Sequence, residues 1–292
     1  MKTETIKNFL KAHCCTLVLV LALLPEFDLV AMMTGIDLNV AMIITQLVCV
    51  VGIGMSLMKL MAQKRERQEP LPVPFMALNG GGAFLALLSL IPSMPDWMGY
   101  VALIALFVSL FMTKNIWLVQ WQQMPTQGAF LILLALLMHI FNFVNNTTAT
   151  SVAAFIGLFL YFKGLSQLKS GMDQAGLEAA DKLKLAIILS IIAVVLDLIP
   201  MMGWLAVIFS VLAFVFEFMG YGRLSCSAVV GAEGARGAGM LRNSMIVMVV
   251  AAVCSLFLDA LASFVALAAL LMAFSGWVQV IMGIESSEQT IY

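Results

Sequence analysis

The sequence predicts an all-α fold, a polytopic transmembrane bundle of about ten helices arranged as five hairpin pseudo-repeats. Apolar residues make up 63% of the 292 positions and charged residues 11%, whereas a soluble domain carries about 45–50% and about 25%. Long apolar runs recur along the chain, and about 20 residues of α-helix cross a bilayer. These runs do not alternate polar and apolar residues as membrane-barrel strands do. Composition therefore excludes a soluble globular, disordered, fibrous or disulfide-stapled protein.

Ten apolar segments are predicted to be helices, because backbone groups cannot stay unpaired in lipid. They pair into five hairpins within one integral membrane domain, 1–292. The first helix is interrupted at Pro25, Glu26 and Asp28, so whether it spans fully stays open. A retained anchor is favoured there over a signal peptide, since no small-residue cleavage site follows the apolar run. The predicted helices are 9–33 with 39–61, 73–91 with 97–113, 127–144 with 150–163, 184–200 with 203–220, and 243–259 with 261–283, so the hairpins cover approximately 9–61, 73–113, 127–163, 184–220 and 243–283.

Charge is distributed unevenly between the two ends of these helices. On this map all 15 Lys and Arg residues fall on one side of the membrane. Short loops rich in Lys and Arg stay in the cytoplasm. The chain is therefore predicted to be a multi-pass protein of the cytoplasmic (inner) membrane, with both termini cytoplasmic and with lipid as its partner. The opposite side carries six acidic residues, Glu26, Asp28, Asp37, Asp96, Asp197 and Asp259.

Internal similarity favours duplication of a hairpin unit. Residues 82–88 read GAFLALL and residues 128–134 read GAFLILL. A second echo, Phe-x-Gly followed by a bulky residue, places Gly164, Gly220 and Gly276 at equal spacings of 56 residues. Each copy of that echo runs from outside to inside, which predicts parallel rather than inverted repeats. Chance similarity in an apolar background is the alternative.

Two loops on the basic side have different patterns. Between Leu165 and Lys184 apolar residues recur at spacings of three and four, which predicts either a helix lying on the inner leaflet or a plain solvated linker. The segment 221–242 is rich in Gly and Ala and is expected to be flexible.

Polar residues within or near the predicted spans are the candidate functional residues, since ionisable groups in a membrane are costly and often functional. His139 and Asn142 are three residues apart and share a helix face. A helix–helix hydrogen bond is the favoured explanation of this pair, and solvated positions near helix ends are the favoured explanation of the acidic residues. A polar pathway through this set is therefore kept as a hypothesis: His139, Asn142, Asp197, Glu217 and Asp259.

The sequence offers no pattern for catalysis, a cofactor or a metal. It has two histidines and no HExxH or GxSxG motif. Its five cysteines lack CxxC spacing. The run Gly80-Gly81-Gly82 lacks the Lys-Ser/Thr of a phosphate loop. Without a basic, aromatic-rich patch, nucleic-acid binding is not expected, whereas protein partners and a homo-oligomer stay open.

Three functions follow from these patterns. The preferred hypothesis is an integral membrane protein of unknown, non-enzymatic function with a structural or interaction role. The alternative is a transporter or channel, which requires the five polar residues to converge on one pathway. A third hypothesis, an enzyme acting on lipid at the inner surface near 164–184, needs a cluster of carboxylates or histidines there, and the sequence does not show one.

Overall fold

A computed structural model describes residues 5–23, 38–66, 68, 70–91, 95, 97–112, 124–138 and 147–289. Within these residues the structure is helical throughout, without a strand, so the all-α prediction is confirmed. Each predicted helix has a counterpart. A short 3-10 turn, Ala228–Val230, separates α8 from α9. The helices are α1 Thr5–Ala22, α2 Leu38–Glu66, α3 Val73–Leu88, α4 Trp97–Met112, α5 Met124–Leu137, α6 Thr147–Lys169, α7 Gln174–Asp197, α8 Gly203–Leu224, α9 Gly231–Cys254 and α10 Asp259–Gln289.

Helix length and surface chemistry are compatible with a membrane protein. Four segments are long and apolar enough to span a bilayer, and three shorter apolar helices accompany them. Large apolar side chains on the outer helix surfaces are widely exposed, including Val48 (63%), Phe155 (75%) and Val207 (63%). A surface this apolar is unfavourable in water and compatible with lipid. The four long segments are Ile43–Glu66, Gly203–Leu224, Ala228–Cys254 and Leu261–Ser287, and the shorter helices are Val73–Leu88, Trp97–Leu110 and Pro125–Leu137.

The chain divides into two compact units, 1–120 and 121–292. In the first unit α1 packs on α2 and α3 packs on α4, with further contacts between α2 and α3. Its interior combines small and branched residues, which lets helices approach closely. Fully buried members are Leu19, Ala86, Ala102, Leu106 and Leu110.

The second unit consists of three successive hairpins, α5 with α6, α7 with α8, and α9 with α10. The last helix, α10, also packs on α5. Because each helix packs mainly on its neighbour in sequence, the contacts are local. The buried interior of this unit includes Phe130, Ile132, Leu133, Trp277 and Ile281.

Each hairpin of the second unit is closed in the same way. In each hairpin a glycine of the second helix packs against two groups of the first helix. One is the carbonyl oxygen of a small residue, and the other is the side chain of the residue four positions after that small residue. A Cβ on that glycine would lie 2.7–2.9 Å from that side chain, closer than atoms pack. Glycine is therefore needed for the close approach of the helices. The three sets are Gly128, Ile132 and Gly164; Ala179, Leu183 and Gly220; and Gly237, Leu241 and Gly276.

The segment 164–184 is neither a separate surface helix nor a linker. Helix α6 continues to Lys169 and α7 begins at Gln174, so the predicted apolar stripe is shared between two long helices. Gly171 has φ 111°, which glycine adopts readily and which reverses the chain. Asp173 then starts α7 by accepting the Gly176 N–H at 2.9 Å as an N-cap.

The expectation that 221–242 is flexible is wrong. Helix α8 extends to Leu224 and α9 begins at Gly231, which leaves a short connection. Glycine disfavours an isolated helix, but here Gly234 and Gly237 lie against the backbone of α10. Tertiary packing of these glycines offsets their poor intrinsic helix propensity.

Candidate functional site

The structure locates some of the five predicted pathway residues. His139 and Asn142 lie outside the described residues. Asp259 is the first residue of α10, and its side chain is also outside the description. Asp197 is the exposed last residue of α7, and Glu217 lies in α8.

Asp197 and Glu217 do not come together. A Cβ at Gly203 would lie 3.9 Å from the Asp197 carboxylate, so Asp197 sits beside the start of α8. Glu217 is 14 residues further along that helix, about 20 Å away at 1.5 Å per residue. These two carboxylates therefore occupy opposite ends of the α7–α8 hairpin.

Glu217 belongs to a polar network between α6 and α8. The Tyr221 hydroxyl donates to Glu217 Oε1 at 3.1 Å. The Tyr161 side chain, from α6, lies beside the Tyr221 hydroxyl and interacts with it. The Tyr221 ring also meets the edge of the buried Trp277 ring at 6.2 Å between centroids. The carboxylate thus accepts a hydrogen bond from one phenol on an inter-helix surface and is not solvated alone.

Tyr161 and Tyr221 were not among the predicted pathway residues, although Tyr221 bonds to Glu217. The four-residue spacing from Glu217 to Tyr221 places both side chains on one helix face. Tyr161 precedes Glu217 by 56 residues, the spacing of the Phe-x-Gly echo. These two spacings are the sequence signals from which the network could have been found.

A second polar centre joins the turns at the basic end of the second unit. Asp173 accepts three hydrogen bonds: from Gly176 N–H at 2.9 Å, from the Ser227 hydroxyl at 2.6 Å and from Ala228 N–H at 2.8 Å. Burial acts to raise the pKa of Asp173, but these bonds outweigh that effect and hold the pKa below its ordinary value. One carboxylate therefore ties the start of α7 to the α8–α9 connection.

Cations of the second unit are confined to the same end. All seven lie in the second half of α6 or α8 or in the first half of α7 or α9, with Lys184 and Arg242 close to the helix midpoints. Lys169 pairs with Asp181 at 2.6 Å and Arg223 with Glu178 at 3.3 Å, and both pairs are exposed to solvent. The cations are Lys163, Lys169, Lys182, Lys184, Arg223, Arg236 and Arg242.

The first unit has its own buried polar contacts. The Thr16 hydroxyl of α1 donates to Asn79 Oδ1 of α3 at 3.3 Å. One turn before Thr16, the buried His13 ring meets the edge of Phe75 at 5.7 Å between centroids. These contacts link α1 to α3, as polar side chains link helices in membranes.

No group of three or more His, Cys, Asp or Glu residues suited to a metal ion occurs in the described part of the chain. The five cysteines all lie in the described residues, and none of them forms a disulfide.

Comparison with known proteins finds no matching family model, no matching curated protein and no matching solved structure.

Proposed function

We propose that this chain is a multi-pass protein of the cytoplasmic membrane with a structural or interaction role and without enzymatic activity. The observation that carries the proposal is the extensive apolar surface on helices long enough to span. In the second unit this apolar surface occurs together with seven cations that all lie in the half of the helices next to the α6–α7 and α8–α9 turns. Apolar surface of this extent requires lipid or protein to cover it. The cationic end is then cytoplasmic by the positive-inside rule.

Repetition of one hairpin supports the structural part of the proposal. The three hairpins of the second unit share the same glycine contact, and their second-helix glycines are 56 residues apart each time. Duplicated hairpins, each tightly closed on itself, explain this shared register. Extended over the whole chain, the same unit accounts for ten spans and five pseudo-repeats with both termini in the cytoplasm.

The non-enzymatic part of the proposal follows from what the polar groups do. Asp173 caps a helix and holds a turn, and Thr16 and Asn79 bond helix to helix. In each case the polar group satisfies the backbone or a neighbouring helix. Groups used in this way stabilise a fold without presenting a reactive centre.

Native and introduced cysteines test the orientation. Cys226 is exposed at the cationic end, and Ser255 is exposed just after α9 at the other end. Two single-cysteine variants, one keeping Cys226 and one carrying Ser255→Cys, are expressed in bacterial cells and treated with a membrane-impermeant maleimide. We expect position 255 to be labelled in intact cells and Cys226 only after permeabilisation. Labelling of both in intact cells, or extraction of the protein into buffer without detergent, would refute the proposal.

Transport through a polar pathway is the second candidate function, and the Glu217–Tyr221–Tyr161 network is the observation that favours it. A carboxylate that accepts from one phenol, with a second phenol beside the first, resembles the relays that move protons or cations in membrane bundles. Proteoliposomes loaded with a pH-sensitive dye test this function. Proton or cation flux that is present in the wild type and lost in Glu217→Gln supports transport, whereas impermeable vesicles support the structural role.

A further inference from the structure

Arg242 lies near the middle of α9, in its cationic half, and has no acidic partner within the described residues. Its guanidinium lies over the Phe218 ring of α8, 4.3 Å from the ring centroid. Its Nε is buried and donates to no acceptor within the described residues, and no carboxylate there forms an ion pair with it. A buried guanidinium N–H without an acceptor is costly. The position therefore calls for an anion from outside the chain.

Space for such an anion exists beside the guanidinium. Gly239 lies three residues before Arg242 in α9, and Gly222 lies four residues after Phe218 in α8. A Cβ on either glycine would meet nothing within 4 Å. Helices α8 and α9 run antiparallel and are in contact at Phe218 and Arg242, so we infer that these two open positions flank one recess at the level of the guanidinium. We call this recess the α8–α9 notch.

The surface leading away from the notch is apolar and suits an acyl chain. Along α9, Ile246 (50% exposed) and Val249 (46% exposed) follow Arg242 at spacings of four and three, on one helix face. On α8, Val211 and Val215 lie on the N-terminal side of Phe218, and both are also apolar and exposed. A ligand that fits both features has a charged head group at Arg242 and an apolar tail along these residues. Such a ligand is an amphipathic anion rather than a free ion.

We propose that the α8–α9 notch binds the phosphate of an anionic phospholipid, with Arg242 as its ligand and Phe218 as the platform that orients the guanidinium. A guanidinium matches phosphate oxygens through two parallel N–H bonds, and stacking on an aromatic ring leaves those N–H groups free to donate. Basic pockets between helices at the cytoplasmic side of a membrane recognise lipid head groups in this way. The assignment rests on the proposed membrane orientation, which places the notch at the inner leaflet.

Lipid binding to the full chain, purified in detergent, tests the site. Native mass spectrometry counts bound phosphatidylglycerol and, separately, phosphatidylcholine with the same acyl chains. We expect wild type to prefer phosphatidylglycerol and Arg242→Gln to lose about tenfold or more in apparent affinity for it. Gly239→Leu keeps every charge but fills the notch, so it should lose affinity as well. Arg242→Lys should retain part of the binding.

Lys163→Gln is the matched control, because Lys163 is an exposed cation near the same end of α6. Circular dichroism of each variant confirms that the helices are retained. Unchanged binding in Arg242→Gln, or an equal loss in Lys163→Gln, overturns the proposal. Full competition by inorganic phosphate at millimolar concentration also overturns it, since the ligand would then be a free anion.

Failure of this site is distinguishable from failure of the membrane proposal. A protein that needs detergent and labels with the expected sidedness, but binds lipid regardless of Arg242, lacks only the lipid site. A protein that stays in aqueous buffer without detergent contradicts the membrane function itself.

Discussion

The three hydrogen bonds to Asp173 make its removal the most informative change for stability. Asp173→Ala removes the N-cap of α7 and leaves the Ser227 hydroxyl and the Ala228 N–H without their acceptor. Loss of an N-cap costs about 1 kcal/mol. Hydrogen bonds to a charged group contribute about 1.5–3 kcal/mol each where solvent is excluded, and less at this partly exposed position. We therefore expect a total destabilisation of about 2–4 kcal/mol.

Unfolding of the detergent-solubilised protein by sodium dodecyl sulfate, followed by circular dichroism, measures that difference. Asp181→Ala is the control, because Asp181 lies on the same helix and makes only an exposed ion pair with Lys169. An exposed pair contributes about 0–1 kcal/mol, so this variant should unfold almost as wild type does. Hydrogen exchange adds a local measurement, since the Ala228 amide should exchange faster in Asp173→Ala.

The pH dependence of the same difference follows from the sign of the pKa shift. The pKa of Asp173 is lower in the folded protein than its ordinary value. The carboxylate therefore stabilises the folded state fully above about pH 4, and the contribution is lost as pH falls through the lowered native pKa. The difference in free energy of unfolding between wild type and Asp173→Ala should be constant from neutral pH down to about pH 4. Below that pH the difference should decrease.

A double-mutant cycle with Ser227→Ala isolates the link between the two turns. If Ser227 acts through Asp173, its substitution should cost much less in the Asp173→Ala background. Additive effects of the two substitutions, or equal destabilisation by Asp181→Ala, would show that the carboxylate does not hold the turns together.

Two further substitutions probe helix packing. A Cβ at Gly237 would lie 2.5 Å from the Gly276 carbonyl oxygen, so Gly237→Ala should destabilise by about 1–3 kcal/mol, measured by the same unfolding titration. Gly239→Ala, two residues away with open space, should be neutral or slightly stabilising, and equal effects at both glycines would contradict the packing argument. Tyr221→Phe keeps the ring but removes the bond to Glu217, so it should cost about 0.6–1.7 kcal/mol. That cost should be smaller in a Glu217→Leu background, which has no acceptor for the Tyr221 hydroxyl.

Helix positions were predictable because hydropathy alone decides which segments can enter lipid. Each predicted segment has a helix in the structure, and the equal spacing of Gly164, Gly220 and Gly276 marked residues that make equivalent contacts. Helix ends were less predictable. The Gly-rich 231–242 segment has poor intrinsic helix propensity, and only the neighbouring backbone of α10 makes its glycines favourable in a helix.

Composition and residue order by themselves determined that the chain is apolar, helical and charged mainly at one set of helix ends, because these properties depend on local hydropathy and spacing. Only the folded arrangement decided which polar groups meet. Tyr161 reaches Tyr221 across two helices, Asp173 reaches Ser227 across 54 residues, and Arg242 lies over Phe218. Such pairings depend on the rotation and depth of one helix against another, which side-chain packing sets and which no local pattern contains.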